Sequence, residues 1–232
     1  MKQHPAWKEL NTYFDGPIPS VDHAKALRDT SSLGESYRRM WNEGAVKTKA
    51  EDVIRVLKRA SVKFVLMGAH AANGWRRVAR NTRAVDVLVQ RNHHRKAVEA
   101  IRAAFPTLTP HDNPVVTRFR DPADGEVAID VMKPTDKLHK AVFKHTVLVR
   151  QSHLVPILKM MLACKFAAMV SPNRERMRKA QDAVDFGVIV EHNKDDINRA
   201  RLERLGETIY SGSGKEILKL ADDILAGRPI VI

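Results

Sequence analysis

Three short apolar segments in the first two thirds of the chain have the length and composition of buried β-strands. They are Lys63–Met67, Val85–Val89 and Val127–Met132. Gly68 follows the first segment and predicts a tight turn into a helix that begins near Ala69. The turn-forming residues Asp121–Gly125 predict that Val115–Phe119 pairs antiparallel with Val127–Met132. These segments together predict a small mixed sheet.

Apolar residues at helical spacing predict helices on both sides of these strands. Val53, Ile54 and Leu57 share one face of a helix over residues 50–60, and a second helix over Arg95–Phe105 ends at Pro106. From Val155 onward the spacing predicts four helices in succession, within Ile157–Ala168, Ala183–Val190, Ile197–Leu205 and Ile217–Leu225. Ser213 with Glu216 three residues later predicts a capping box for the last helix.

We therefore predict an α/β (α+β) fold in which a mixed β-sheet with flanking helices is followed by a helical bundle. The predicted domain boundaries are 46–150 for the sheet and 151–232 for the bundle. Residues 1–45 contain three prolines and two tryptophans. This composition predicts an arm with one or two short helices that packs on the larger body.

The composition narrows the classes of function. The chain has 40 basic and 27 acidic residues, a net charge of +13 and a pI near 10.0, which predicts polyanionic partners such as nucleic acid or nucleotides. Hydrophobic residues make up 44% of the chain, which excludes a disordered basic tail. No apolar run approaches the roughly 20 residues of a membrane span. A single cysteine, Cys164, and the absence of an apolar segment near the first lysine predict a cytoplasmic location.

Two acidic residues lie inside the predicted apolar strands. Asp86 is in Val85–Val89, and Asp130 is in Val127–Met132. A buried carboxylate is costly unless it has a partner. If the two strands are neighbours, the carboxylates can together bind a hard divalent cation, which also attracts substrate phosphates. Pairing of each aspartate with an arginine is the alternative.

At this point the sequence resembles the minimal nucleotidyltransferases, whose fold is similar to that of DNA polymerase beta. Their signature is a strand, a glycine-led turn into a helix, an Arg-x-Thr step, Asp-x-Asp on the next strand, and a third Asp on a neighbouring strand. The matching residues are Gly68 and Ala69 at the turn, Arg80 and Thr82 at the step, Asp86 as the second Asp, and Asp130 as the third. The resemblance implies that Asp86 and Asp130 hold Mg²⁺ or Mn²⁺ and that the other four bind the nucleotide.

A second match lies in the predicted helical half. Lys165, Asp182 and Asp185 stand where the nucleotidyltransferase toxins of type IV toxin–antitoxin systems have a lysine followed by Asp-x-x-Asp. This similarity implies that Lys165 contacts the nucleotide and that Asp182 or Asp185 orients Lys165 or the acceptor. It also implies a protein antitoxin as a partner. The two resemblances together cover about residues 62–190.

Two positions depart from the family pattern. Ala84 stands where the first metal-binding aspartate belongs, and alanine cannot ligate a metal. Either this position was substituted to inactivate an enzyme, or the chain is a natural member that has lost full metal binding. Ala69 replaces a serine that touches phosphate in many relatives, although backbone N–H groups at a helix start can do the same.

Basic residues cluster on both sides of the predicted site. Arg76, Arg77, Arg80 and Arg83 precede Asp86, and Arg174, Arg176 and Arg178 precede Asp182. Arginine pairs bidentately with phosphate, so these residues predict binding of a triphosphate or of RNA. A solvated basic loop is the alternative.

The function expected from the resemblance is metal-dependent transfer of a nucleoside monophosphate from a nucleoside triphosphate to an acceptor hydroxyl. RNA, for example a tRNA end, is the expected acceptor, and a protein hydroxyl is the second choice. Because of Ala84, a catalytically degenerate protein that only binds nucleotide, RNA or a protein partner is the alternative.

Overall fold

The structure, a computed structural model, describes residues 22–40 and 48–230 of the chain. Within these residues, seven strands form one sheet with the order β3-β4-β5-β2-β1-β7-β6. In chain order the strands are β1 (Phe64–Leu66), β2 (Val85–Val89), β3 (Thr109–Asp112), β4 (Val116–Arg120), β5 (Val127–Met132), β6 (Thr146–Val149) and β7 (His153–Pro156).

The strands run in both directions. β2 is parallel to β5 and antiparallel to β1, and β1 is parallel to β7. The pairs β3–β4, β4–β5 and β6–β7 are antiparallel. The α/β fold with a mixed sheet that the sequence predicts is therefore confirmed, and so is the predicted pairing of β4 with β5.

The described residues also form nine α-helices. They are α1 (His23–Met40), α2 (Ala50–Arg59), α3 (Gly68–Ala72), α4 (His94–Ala104), α5 (Lys137–Val142), α6 (Leu158–Val170), α7 (Arg176–His192), α8 (Arg199–Gly206) and α9 (Ser213–Leu225). α2 carries Glu51 and Asp52 in its first turn and Lys58 and Arg59 in its last, so its charges complement the helix dipole. None of the described helices is long and apolar enough to cross a lipid bilayer.

One continuous hydrophobic core joins the sheet to the helices. Val87 and Val131 in the centre of the sheet are completely buried, as are Met160 on α6 and Phe186 on α7. The boundary predicted at residue 150 falls between β6 and β7, which pair with each other, and β7 in turn pairs with β1. The helical half therefore begins at Leu158, directly after the last strand of the sheet.

Three details differ from the sequence-based prediction. The strands β3, β6 and β7 were not predicted, and β7 (residues 153–156) extends past Val155, from which we predicted only helices. In the predicted arm, residues 23–40 form a single helix of 18 residues instead of one or two short helices. The rest of the arm, residues 1–21 and 41–45, lies outside the described part of the chain.

Candidate functional site

The centre of the candidate site is a pair of carboxylates on neighbouring parallel strands. Asp86 on β2 lies directly opposite Asp130 on β5. Opposed residues of paired strands project to the same face of the sheet, so the two side chains are neighbours. The prediction that Asp130 lies on the strand beside Asp86 is thus confirmed. We call these two residues the carboxylate pair.

Gly68 shapes the space next to this pair. It is the first residue of α3, directly after β1, and has a φ of +58°. A Cβ atom at this position would lie 1.8 Å from Oδ2 of Asp86. The backbone of the strand-to-helix turn therefore touches the Asp86 carboxylate so closely that only glycine fits.

Burial and mutual repulsion disfavour the charged form of the pair. Burial, together with the neighbouring charge of Asp130, raises the pKa of Asp86 from 3.8 to about 6. Burial also raises the pKa of Asp130. The charges of Lys165 and Arg174 oppose the shift at Asp86. A bound cation would remove the repulsion and stabilise both ionised carboxylates.

The side chains of the pair fit a hard cation. Oδ1 of Asp130 is buried and accepts no hydrogen bond within the described residues. Nε of Arg118 lies 3.5 Å from this oxygen, so Asp130 forms an ion pair with an arginine, as the alternative interpretation of the sequence predicted. Carboxylate oxygens on adjacent strands are ligands that Mg²⁺ and Mn²⁺ accept, with water and phosphate completing the coordination. Among residues 22–40 and 48–230, no group of three or more His, Cys, Asp or Glu side chains could hold a metal ion. The pair therefore supplies two protein ligands and depends on a substrate for the others.

Thr82 and Ala84 lie in the segment directly before β2. Ala84 is the residue before Val85, where β2 begins, and its methyl group is half-buried. The carbonyl oxygen of Ala84 accepts a hydrogen bond from the hydroxyl of Thr82 over 3.5 Å. Burial lowers the pKa of His70 to about 4, so this ring is neutral near pH 7. The backbone at position 84 is held in place, although its side chain adds no ligand.

A buried charge network lies between the sheet and the helices. Lys165 on α6 donates hydrogen bonds to Asp182 and Asp185 on α7. Arg80 forms a bidentate pair with Asp185, with N–O distances of 2.8 and 2.9 Å, and Arg76 donates to the same carboxylate. Arg174 Nε donates to Asp182 over 2.6 Å. We call these six residues the charge network.

In the charge network, the residues matched to the toxins, Lys165, Asp182 and Asp185, bind one another. Burial alone would raise the pKa of Asp185, yet hydrogen bonds and charge from Arg80 and Lys165 lower it to about 2. Lys165 is itself only 5% exposed and is held by its two aspartates. Four cations face two carboxylates, so the network carries surplus positive charge close to the carboxylate pair.

The four arginines before Asp86 do not lie along one surface. Arg76 and Arg80 point to Asp185. Arg83 lies over the ring of Tyr37 and 3.7 Å from Glu126. The positive charge of Arg77 instead lowers the pKa of His192, the last residue of α7. The structure therefore does not bring these four residues together. In the second basic group, Arg174, Arg176 and Arg178 are all exposed at or near the start of α7, and the charges of Arg174 and Arg178 reach the carboxylate pair.

Two residues at this site, Arg118 and Asn73, were not predicted from the sequence. Arg118 lies directly opposite Asp130 on β4, and counting back from the predicted turn at Asp121–Gly125 would have found it. Asn73 is buried, accepts a hydrogen bond from the backbone N–H of Arg80 and donates one to its carbonyl oxygen. Asn73 thereby fixes the loop that carries Arg80, and no sequence motif marks it.

The chain matches no protein-family model and no curated protein sequence. The chain is structurally similar to the following three solved proteins. An antigenic nucleotidyltransferase-like protein from Paracoccidioides brasiliensis has a TM-score of 0.45 and 13% identity, over 80% of this chain and 94% of that one. The Thermotoga maritima CCA-adding enzyme complexed with tRNA has a TM-score of 0.36 and 10% identity, over 91% of this chain and 57% of that one. Terminal uridylyl transferase 4 from Trypanosoma brucei with bound GTP has a TM-score of 0.33 and 13% identity, over 89% of this chain and 72% of that one. With TM-scores and identities this low, these similarities assign the chain neither a family nor an activity.

Proposed function

We propose that this protein binds a nucleoside triphosphate with a divalent cation at the carboxylate pair and transfers the nucleotide to an acceptor hydroxyl. The observation that carries the proposal is the register of Asp86 against Asp130 on parallel strands, with a buried oxygen on Asp130 that accepts no hydrogen bond from the described residues and has Arg118 as its ion-pair partner. The resemblance in the order of Gly68, Arg80, Thr82, Asp86 and Asp130 along the chain agrees with it.

Each group near the pair has a role in this proposal. Asp86 and Asp130 hold Mg²⁺ or Mn²⁺, which when bound neutralises phosphate charge. Arg174 and Arg178 carry positive charge that acts on both carboxylates, so they are placed to bind phosphate oxygens. Lys165, held between Asp182 and Asp185, adds its positive charge from the helical side of the site.

The proposed step is an in-line displacement at the α-phosphate. A bond forms between the acceptor oxygen and the α-phosphorus while the bond from that phosphorus to the bridging oxygen breaks, and pyrophosphate leaves. The proton of the acceptor hydroxyl passes to water, because the cation holds both carboxylates of the pair in their ionised form.

Ala84 favours a second candidate function, in which the site at the carboxylate pair binds nucleotide without efficient transfer. Paired metal ions in nucleotidyl transfer share carboxylate ligands, and here one of the expected carboxylates is a methyl group. In this case the protein acts through what it binds, namely a nucleotide, RNA or a partner protein. A toxin-like role with an antitoxin partner belongs to the transfer proposal.

One substitution separates the two candidates. Ala84→Asp restores the missing ligand, and we expect it to raise transfer of α-labelled nucleotide to RNA or protein by orders of magnitude over the unmodified chain. Ala103→Asp, on an exposed position of α4, adds the same charge away from the site and is the control. Absence of any gain with all four triphosphates and both acceptor classes, despite retained nucleotide binding, would favour the binding function. Absence of nucleotide binding would contradict both.

A further inference from the structure

A row of side chains crosses the sheet from the carboxylate pair to one edge. Asp86 on β2 is opposite Asp130 on β5, Asp130 is opposite Arg118 on β4, and Arg118 is opposite His111 on the edge strand β3. Directly opposed residues share a face, so all four side chains lie on the side of the sheet that carries the carboxylate pair. Strands are spaced about 4.8 Å apart, so the row extends roughly 14 Å.

Further arginines flank this row. Arg120 is two residues beyond Arg118, and its Nη1 donates to the carbonyl oxygen of Gly125 over 2.7 Å, which holds the guanidinium at the end of β4. From the helical side, Arg174 and Arg178 are exposed near the start of α7, where Arg174 is fixed by its bond to Asp182. Arg118 Nε lies 3.5 Å from Oδ1 of Asp130, and the charges of the other three arginines also act on Asp130.

These arginines differ from those that the sequence singled out before Asp86. The side chains of Arg76 and Arg80 are only 11% and 24% exposed, and both pair with the buried carboxylate of Asp185. Arg118 and Arg178 also have acidic partners, Asp130 and Glu175, but their side chains are 44% and 61% exposed. The more exposed cations therefore belong to β4 and to the start of α7.

We propose that single-stranded RNA is the acceptor and that it reaches the carboxylate pair over the β3 edge of the sheet, between the β4 arginines and the start of α7. This inference rests on the proposed function. We call Arg118, Arg120, Arg174 and Arg178 the acceptor track. The track binds phosphates, and the end of the strand with its free hydroxyl lies at the carboxylate pair.

Three features favour RNA over a protein acceptor. Arginine guanidinium groups pair bidentately with successive phosphates, whereas a peptide presents no regular series of charges. The ring of His111 is exposed at the outer end of the row, where a base can stack on it. The net charge of +13 draws a polyanion toward the molecule from a distance.

Salt dependence of binding tests the track directly. A short fluorescein-labelled single-stranded RNA is titrated with the full chain between about 50 and 200 mM salt, a range over which phosphate contacts change affinity strongly. The double variant Arg118→Gln/Arg120→Gln removes two track cations. Each lost phosphate contact on a single strand lowers the slope of log K against log salt by about 0.7, so the expected decrease is about 1.4.

The control removes equal charge from the opposite face. α4 covers that face, because its His94 lies 3.1 Å from the hydroxyl of Thr117, whose side chain points away from that of Arg118. Arg95→Gln/Arg102→Gln on α4 should leave the slope unchanged. Arg118→Lys/Arg120→Lys keeps the charge without the bidentate geometry, so it should keep the slope and lose affinity. If the lysine variant keeps the slope, the decrease in the glutamine variant does not arise from misfolding.

The outcomes are distinct. An unchanged slope in the glutamine track variant, an equal decrease in the α4 control, or no RNA binding by the unmodified chain would overturn the inference. Competition by poly-glutamate as strong as that by RNA at equal charge would assign the track to a protein and would also overturn it. Metal-dependent binding of a nucleoside triphosphate is measured separately on the unmodified chain. Loss of that binding contradicts the proposed function, whereas the slopes report on the track alone.

Discussion

At the residue scale, Gly68 determines how the Asp86 carboxylate is placed. Gly68→Ala puts a methyl group where Oδ2 of Asp86 now lies, at a φ of +58°. Gly125→Ala is a matched control, because Gly125 has a φ of +72° and open space around the added methyl group. Gly125→Ala should lose about 1–2 kcal/mol of unfolding free energy from backbone strain, measured by urea denaturation. Gly68→Ala should lose more, because the added methyl group also displaces the Asp86 carboxylate.

The two glycine variants should differ in metal binding. Gly68→Ala displaces the carboxylate, so the rise in melting temperature on adding Mn²⁺ and nucleotide should disappear, whereas Gly125→Ala should keep it. If Gly68→Ala keeps the full metal-dependent rise, Asp86 does not hold the ion.

The pKa of Asp86 predicts how metal binding depends on pH. The folded-state value of about 6 lies above the ordinary 3.8, so ionising this group costs stability as the pH rises through that interval. A cation binds only the ionised form and reverses this cost. The Mn²⁺-dependent increase in melting temperature should therefore be small near pH 5 and grow as the pH passes about 6. In Asp86→Asn, the Mn²⁺-dependent increase in melting temperature should not grow with pH. If this increase is independent of pH in the unmodified chain, that result would count against the site.

At the element scale, the charge network joins α6 and α7 to the loop before β2. Asp185→Asn keeps the shape of the side chain but leaves Lys165, Arg76 and Arg80 without their common counter-charge. Breaking a buried pair in this way typically costs about 3–5 kcal/mol. Asp222→Asn is the control, since its pair with Arg199 is exposed and worth about 0–1 kcal/mol. Equal losses of unfolding free energy in the two variants would show that the network does not stabilise this junction.

The sequence predicted the elements that carry the carboxylate pair better than the others. β2 and β5 have the predicted bounds because each is an uninterrupted apolar run with one acidic residue. β3 was missed because it is polar and contains Pro110, which disfavours an interior strand. The hairpin β6–β7 was missed because its strands have only four residues each.

The predicted capping box at the last helix was wrong for a tertiary reason. α9 does begin at Ser213, but its N-cap is Gly212 in a left-handed conformation. The Ser213 hydroxyl instead donates to the carbonyl oxygen of Gly206 at the end of α8, and Glu216 pairs with Tyr210. The toxin similarity implied that Asp182 or Asp185 orients Lys165, and in the structure both carboxylates accept a hydrogen bond from it.

At the scale of the whole molecule, the candidate site combines a carboxylate pair with surplus positive charge. The charge network supplies this charge from the helical side, and Arg118 and Arg120 supply it from β4. Two carboxylates among so many cations favour a ligand that brings both a metal ion and phosphate groups. Under the proposed function, this arrangement favours a nucleoside triphosphate over a neutral ligand.

The central claim is that the carboxylate pair binds a divalent cation together with a nucleoside triphosphate. The measurement that tests it most directly is Mn²⁺-dependent binding of a fluorescent, non-hydrolysable triphosphate to the unmodified chain, Asp130→Asn, Ala84→Asp and the exposed control Asp195→Asn. We expect binding to weaken by at least about tenfold in Asp130→Asn, since even the outer-shell partners of a metal account for about 10- to 100-fold in affinity. Ala84→Asp should bind more tightly, and Asp195→Asn should match the unmodified chain. Binding that is independent of Mn²⁺, or equal in Asp130→Asn and the unmodified chain, would contradict the claim.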